Sequence, residues 1–212
     1  MSTQENHKTF CPMPGINAGT LTLADLERIT DIVRRHNIPM VKVTGAQRFY
    51  FQGLAPEKLA ELKKELNLPD GLPHTRNRVH YVQACPGSQW CRYGTRDTLA
   101  VARAIGELVL EGPLPYKVKV GISGCRMCCC ESWMRDVGLA AEKKGWRFTF
   151  GGNAAGRPRI GDLVAEGLND DEAVTLIERT LNFYLKTAKY KTRSARFMER
   201  FSIEELKKQV LG

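Results

Sequence analysis

Six of the chain's seven cysteines fall between Cys85 and Cys130, and Cys11 stands apart. Cys85-Pro-Gly-Ser-Gln-Trp-Cys91 is a C-x5-C element and Cys125-Arg-Met-Cys-Cys129 is a C-x3-C element. Four thiolates from two such loops can hold a [4Fe–4S] cluster, because each corner iron needs one cysteine. Zinc is the competing occupant. Structural zinc sites use closer pairs, about two to four residues apart, and often histidine. His80 is the one histidine near these cysteines, and it falls within a predicted strand. The spacing therefore favours iron–sulfur over zinc. An odd number of cysteines cannot close a complete disulfide framework, and crowding in a reducing compartment points to metal or redox chemistry. Burial as a small hydrophobe suits Cys11 better than the loop cysteines.

Both pairs need elements that bring them together. Val79–Ala84 reads as a strand feeding into Cys85, and Tyr116–Ile122 as a strand ending at Gly124-Cys125. Between them, Thr95–Leu110 predicts a buried helix through Leu99, Ala102, Ile105, Leu108 and Val109. Strands are predicted over Val137–Ala141 and Trp146–Phe150 around Lys143-Lys144-Gly145, then a helix from Asp170 to about Lys186. The basic tail, 189–212, ends in a short helix over Ile203–Val210. Upstream, Thr22–Asn37 reads as an amphipathic helix with Thr22 as N-cap and Asp25 three residues on. Met40–Thr44 and Arg48–Gln52 read as a hairpin, and Pro56 suits the first turn of a helix to about Leu66. Leu68-Pro-Asp-Gly-Leu-Pro73 is turn chemistry and the best internal boundary. With a flanking strand on either side, residues 9–84 read as a small α+β sandwich of helices on an antiparallel sheet. The expected class is α+β in two parts, residues 1–74 and 75–212.

The 212 residues carry 42% hydrophobic and 26% charged side chains, too apolar for disorder. A formal charge of +9 implies an anionic partner. Nucleic acid is the alternative that such a charge raises. The charge is spread along the chain, however, and no finger, helix-turn-helix or aromatic RNA-binding pattern accompanies it. No apolar run approaches the roughly 20 residues needed to cross a bilayer, and the first residues lack a signal-peptide layout. The expected location is the cytoplasm, with neither membrane nor nucleic acid as partner.

Cys85-x5-Cys91 followed by Ser123-Gly-Cys125-x3-Cys129 resembles the sirohaem and [4Fe–4S] motif of the sulfite and nitrite reductase family. Ala84–Asp97 is similar to the NAD(P)H-type nitrite reductase branch and its small relatives. Val41–Phe51 resembles the family's ferredoxin-like half-domain, and Leu114–Lys119 the run upstream of the third cysteine. The resemblance covers about residues 20–200. It implies a ferredoxin-like half-domain followed by an α/β sirohaem- and cluster-binding domain. The implied activity is an oxidoreductase taking sulfite to sulfide or nitrite to ammonia by six electrons from an external carrier such as a ferredoxin.

By motif position, the resemblance makes Cys85, Cys91, Cys125 and Cys129 the cluster ligands, with Cys129 bridging to the sirohaem iron. Arg126 stands where relatives commonly have proline, and Cys125 with Cys128 would form an alternative C-x2-C pair. The resemblance assigns Lys117 and Lys119 to substrate binding and proton supply, on one strand and one face. Arg78 is the candidate anion-binding arginine, with Arg76 as its rival. Arg48 stands two residues beyond Ala46, which occupies the position of the active-site arginine of some relatives. Asn153, Arg157 and Arg159 form a candidate cradle for the carboxylates of the tetrapyrrole. The tail cations from Lys186 to Arg196 read as surface or cofactor-edge contacts.

Larger relatives contain two related halves, whereas this chain shows no internal repeat. The missing half is then either dispensable or supplied by a second copy in a homodimer. No Gly-rich dinucleotide fingerprint follows a strand, so neither NAD(P)H nor flavin is expected. The odd Cys128 and Cys130 and the displaced arginine motivate a second reading, a non-catalytic sirohaem and iron–sulfur redox or electron-transfer protein.

Overall fold

The computed structural model describes residues 10–68 and 77–212. The chain divides into two units, Met1–Gly71 and Leu72–Gly212. Most of the turn-rich run expected as the boundary, from position 69, lies outside the described residues, as does Arg76.

The first unit contains β1 (Phe10–Pro12), α1 (Leu23–Arg35), β2 (Met40–Val43), β3 (Phe49–Gln52) and α2 (Pro56–Glu65). The three strands form an antiparallel sheet in the order β1-β3-β2. Helix α1 starts where the sequence places its cap. The Thr22 hydroxyl accepts from Asp25 N–H, and the Asp25 carboxylate accepts from Thr22 N–H. Ile29 and Ile32 then join Phe51, Leu62, Met13 and Cys11 in the core. Each such fully buried aliphatic side chain contributes about 1.5–3 kcal/mol. Cys11 is 0% exposed, and burial raises its thiol pKa, so it serves as a small hydrophobe there. The strand expected to flank this sheet on its far side, 79–84, belongs to the second unit instead.

The second unit is a five-stranded mixed sheet in the order β4-β5-β6-β7-β8. Its strands are β4 (Tyr81–Ala84), β5 (Lys119–Ser123), β6 (Val137–Glu142), β7 (Gly145–Phe150) and β8 (Asp162–Leu168). The β4/β5 and β5/β6 pairs are parallel, and the last two pairs are antiparallel. Parallel neighbours need a crossover of a dozen or more residues. From β4 to β5 it carries α3 (Gly87–Trp90) and α4 (Thr98–Glu107). Helix α4 covers the face of Val82, where Gly106 comes within van der Waals reach. The crossover from β5 to β6 is the second cysteine loop itself, with a short 3₁₀ turn at Ser132–Met134, and it covers the opposite face. Helices α5 (Asp170–Thr187), α6 (Ser194–Met198) and α7 (Ile203–Leu211) complete the unit around Trp146, Phe148, Phe150, Ile177 and Tyr184.

Several expectations shift in detail. Helix α4 starts at Thr98 rather than Thr95, because Asp97 caps it by accepting from Leu99 and Ala100 N–H. It ends at Glu107, which leaves Val109 exposed and turns Leu110 inward. Strand β5 begins at Lys119, so Lys117 precedes it. Val118 O still accepts from His80 N–H, and burial still alternates from Lys117 to Val120. Strand β8 went unread because only Val164 among its seven residues is buried, leaving no alternating apolar signal. Among the described residues no helix is long and apolar enough to cross a membrane.

Candidate functional site

Ala84 of β4 pairs with Ile122 of β5, so both cysteine elements start from the same end of neighbouring parallel strands. The Cys85 Sγ accepts from Gly124 N–H at 3.0 Å, and Cys85 N–H donates to Ile122 O at 3.1 Å. Thr95 closes the junction from the other side. Its N–H and hydroxyl donate to Gly124 O at 2.8 and 3.2 Å, and the Thr98 hydroxyl donates to Cys85 O. Glycine is required for this contact. A Cβ on Gly94 would lie 2.3 Å from the Gly87 carbonyl carbon, and one on Gly124 would crowd Gly87 and Thr98. The two sulfur-bearing loops therefore meet.

Past Cys125 the chain turns back over the sheet. A Cβ on Gly121 would stand 2.6 Å from Cys130 O, and one on Gly138 only 1.9 Å from Ser132 O. These two strand glycines let the returning backbone lie directly on β5 and β6. Ser123 secures it, with its Oγ accepting from Cys130 N–H at 3.2 Å and lying 2.8 Å from Ser132 Oγ. The cysteines thereby differ in setting. Cys85 and Cys130 are buried, Cys91, Cys125 and Cys128 are half-buried, and Cys129 is exposed. Burial, with the neighbouring Cys85 and Cys129 sulfurs, pushes the Cys130 thiol up to about 12, which keeps it protonated.

This donor set fits an iron–sulfur cluster. It is all thiol, set on loops, with a backbone N–H already directed at one sulfur. A four-iron cube takes its cysteines one to a corner. Beside Cys125, a cavity of about 740 Å³ opens between the cysteine loops and the β6–β7 hairpin, lined by Thr95, Arg126, Lys143, Lys144 and Glu166 among others.

Cations gather at the other end of β5. Lys119 and Lys117 are half-buried, and Lys119 N–H donates to Asp136 Oδ2 at 3.0 Å. Asp136, 1% exposed, also accepts from Arg193 at 3.0 and 3.2 Å and from the Ser194 hydroxyl. Arg135 bonds Gln83 at 2.8 Å, Tyr81 at 3.2 Å and Glu131 at 2.8 Å. Burial, then the Arg193 charge, holds the Lys119 amine below the ordinary lysine range. Sequence reasoning missed Arg135 and Asp136 altogether and set Arg193 among surface or cofactor-edge cations. Arg193 is instead a mostly buried partner of Asp136. No local spacing marks them, because Arg193 reaches Asp136 from 57 positions away.

The remaining candidates have varied settings. Asn153 is buried and closes its own loop, bridging Arg159 through the backbone and donating to Arg157 O at 2.7 Å. Arg159 is occupied by Gly151 O at 3.0 Å and Asp162 at 2.6 Å, whereas Arg157 is exposed, 3.8 Å from Glu199. Arg78 is exposed just before β4. In the first unit, Arg48 ends the β2–β3 turn, where its N–H donates to Thr44 Oγ1 at 3.2 Å and its guanidinium lies over Tyr50.

Residues 75–212 match the family model of the nitrite and sulphite reductase 4Fe-4S domain, and residues 3–68 that of the nitrite/sulfite reductase ferredoxin-like half domain. An assimilatory-type sulfite reductase of Nitratidesulfovibrio vulgaris is 41% identical over 209 residues, covering 99% of this chain and 95% of the relative. A nitrite reductase [NAD(P)H] of Bacillus subtilis is 33% identical over 199 residues, but the match spans only 24% of that longer protein. Among solved structures, dissimilatory sulfite reductase I aligns with a TM-score of 0.77 at 14% identity, over 95% of this chain and 68% of the other. That likeness concerns the fold, an α+β half-domain followed by a cluster-binding α/β domain. With both halves matched and the thiol loops joined at one end of the sheet, the chain belongs to the nitrite and sulphite reductase family, oxidoreductases that carry a [4Fe–4S] cluster and sirohaem.

Proposed function

We propose that this chain reduces sulfite to sulfide with six electrons from an external carrier such as a ferredoxin, and acts in the cytoplasm. The observation that carries this reading is the 41% identity running through nearly the whole of an assimilatory-type sulfite reductase, against a quarter-length match to the nitrite reductase.

Cys85, Cys91, Cys125 and Cys129 would hold the cluster in this reading, with Cys129 as the thiolate nearest the tetrapyrrole's site. The exposure of Cys129 supports its choice over Cys130, which is buried and kept as a thiol. When bound, the cofactor pair would supply the electrons for the reduction. The protein's own work is to bind the anion and deliver protons as S–O bonds break. Lys119 suits that work because an amine with a lowered pKa gives up its proton more readily near neutrality. Lys117 and Arg78 would add positive charge for a small oxyanion, Arg48 is the first unit's candidate for the same work, and Asn153, Arg157 and Arg159 would hold the cofactor's carboxylates. Arg159 is the weakest of these assignments because Asp162 and two backbone carbonyls already occupy it. The half that the larger relatives carry internally is either dispensable here or supplied by a second copy of the chain. Steady-state turnover of sulfite and of nitrite by the reconstituted holoprotein with a low-potential dye tests the reading. Sulfite should be the better substrate by kcat/KM. Better use of nitrite overturns the substrate choice, and turnover of neither supports a redox role without catalysis.

A further inference from the structure

The C-terminal segment contributes one side chain to the lysine end of β5. Asp136 closes the crossover from the cysteine loop, and its carboxylate is saturated by Lys119 N–H, Arg193 and Ser194. Arg193 lies over the Tyr116 ring at 5.7 Å, and Lys117 approaches the same ring at 6.0 Å. A cavity of about 190 Å³ opens here, with Lys119, Arg135, Arg193, Glu131 and Asp136 as its charged lining. Arg193 pairs with Asp136 at 3.0 Å and Arg135 with Glu131 at 2.8 Å, which leaves the Lys119 amine as the charge in excess. The Arg193 Nε is buried with no hydrogen-bond partner among the described residues, so this guanidinium is held chiefly through its Nη2 contacts with Asp136.

We propose that Arg193 is a positioning residue for Lys119, delivered by the C-terminal segment and clamped on Asp136 so that the amine stays the surplus cation of this pocket, ready to release its proton. The proposal rests on the reading of Lys119 as an active-site lysine and extends the active site to a segment that no cysteine or lysine motif includes. The charges facing Lys119 are Lys117 just before it in the chain, Arg135 and Asp136 from the crossover, Glu131 across the cavity and Arg193 itself. Removing the Arg193 charge strips a repelling cation and leaves Asp136 unopposed. Both changes favour the protonated amine.

The experiment follows acylation of individual lysines against pH by mass spectrometry in the full chain. In the unaltered protein Lys119 should react with a midpoint below that of a free lysine side chain, about 10.4. In Arg193→Gln the Lys119 midpoint should move to higher pH, and Arg193→Lys, which keeps the charge, should hold it near the original. In the holoprotein, the alkaline limb of the sulfite pH–rate profile should move the same way in Arg193→Gln and return in Arg193→Lys. A Lys119 midpoint equal to that of a free lysine side chain in the unaltered chain overturns the proposal even if the variants fail to fold. So does an unmoved midpoint in folded Arg193→Gln. Acylation needs no turnover, so a protein inactive on sulfite yet showing these shifts contradicts the proposed substrate and leaves the Arg193 assignment standing.

Discussion

The two ends of β5 hold their chemistry by opposite means. Lys119 and Ser123 are separated by about 13 Å, at roughly 3.3 Å per residue. At the Ser123 end, glycines and hydrogen bonds among Cys85, Thr95, Thr98 and Gly124 pack two thiol-bearing loops against each other. At the Lys119 end, the buried Asp136 carboxylate ties the start of β5, through Lys119 N–H, to Arg193 and Ser194 of the C-terminal segment. The thiol end needs backbone precision because a cluster brings its own charge and binds strongly to whatever holds its corners. The lysine end needs a surplus of charge beside a fixed anchor, and a buried Asp supplies that anchor only when its partners are present.

This contrast predicts unequal responses to substitution. The largest effect is expected from Asp136→Ala, which strands Arg193 and frees the start of β5. It should cost about 3–5 kcal/mol, read from the urea midpoint, as breakage of a buried pair does. The folded fraction should still take up cluster at the other end, and loss of iron from that fraction would show that the two ends are not separable. Gly138→Ala comes next, because its Cβ would enter Ser132 O. Relief by backbone shift should cost about 1–3 kcal/mol, and the displaced crossover should lower cluster retention, measured by iron content after gel filtration. A stable variant that retained its cluster would contradict the close-packed crossover.

The smallest effect serves as a control in the first unit. Arg35, first, and His36 hold the Glu65 carboxyl down to about 2. An unfolded Glu titrates near about 4.3, so between these values the unfolded chain binds more protons and stability rises with pH. The contribution is present above the upper value and lost as pH falls toward the lower. Thermal midpoints across that acid window should fall less steeply in Glu65→Gln than in the unaltered chain, by a modest amount because the pair is partly exposed. Parallel curves would remove the Arg35–Glu65 pair from the account.

The same two ends show how much a sequence can reveal. The thiol end was legible, since cysteine spacing after each strand is local and the strands themselves alternate. The cap at Thr22, the β2–β3 hairpin and the turn before Gly145 were legible for the same reason. The lysine end was half legible. The lysines stand out by family register, but Asp136 and Arg193 are 57 positions apart and meet only because the crossover and α6 converge on β5. Strand β8 escaped because a sheet edge with one buried residue carries little apolar periodicity.

The central claim is that two loops supply four thiolates to one cluster, and cysteine-by-cysteine replacement with serine tests it most directly. Iron and acid-labile sulfide, with the visible spectrum, should show a [4Fe–4S] cluster and sirohaem in the reconstituted chain. Cluster should be lost in Cys85→Ser, Cys91→Ser, Cys125→Ser and Cys129→Ser and kept in Cys11→Ser, Cys128→Ser and Cys130→Ser. One tightly bound zinc per chain without labile sulfide, or a cluster that survives Cys129→Ser and vanishes in Cys128→Ser, would contradict it.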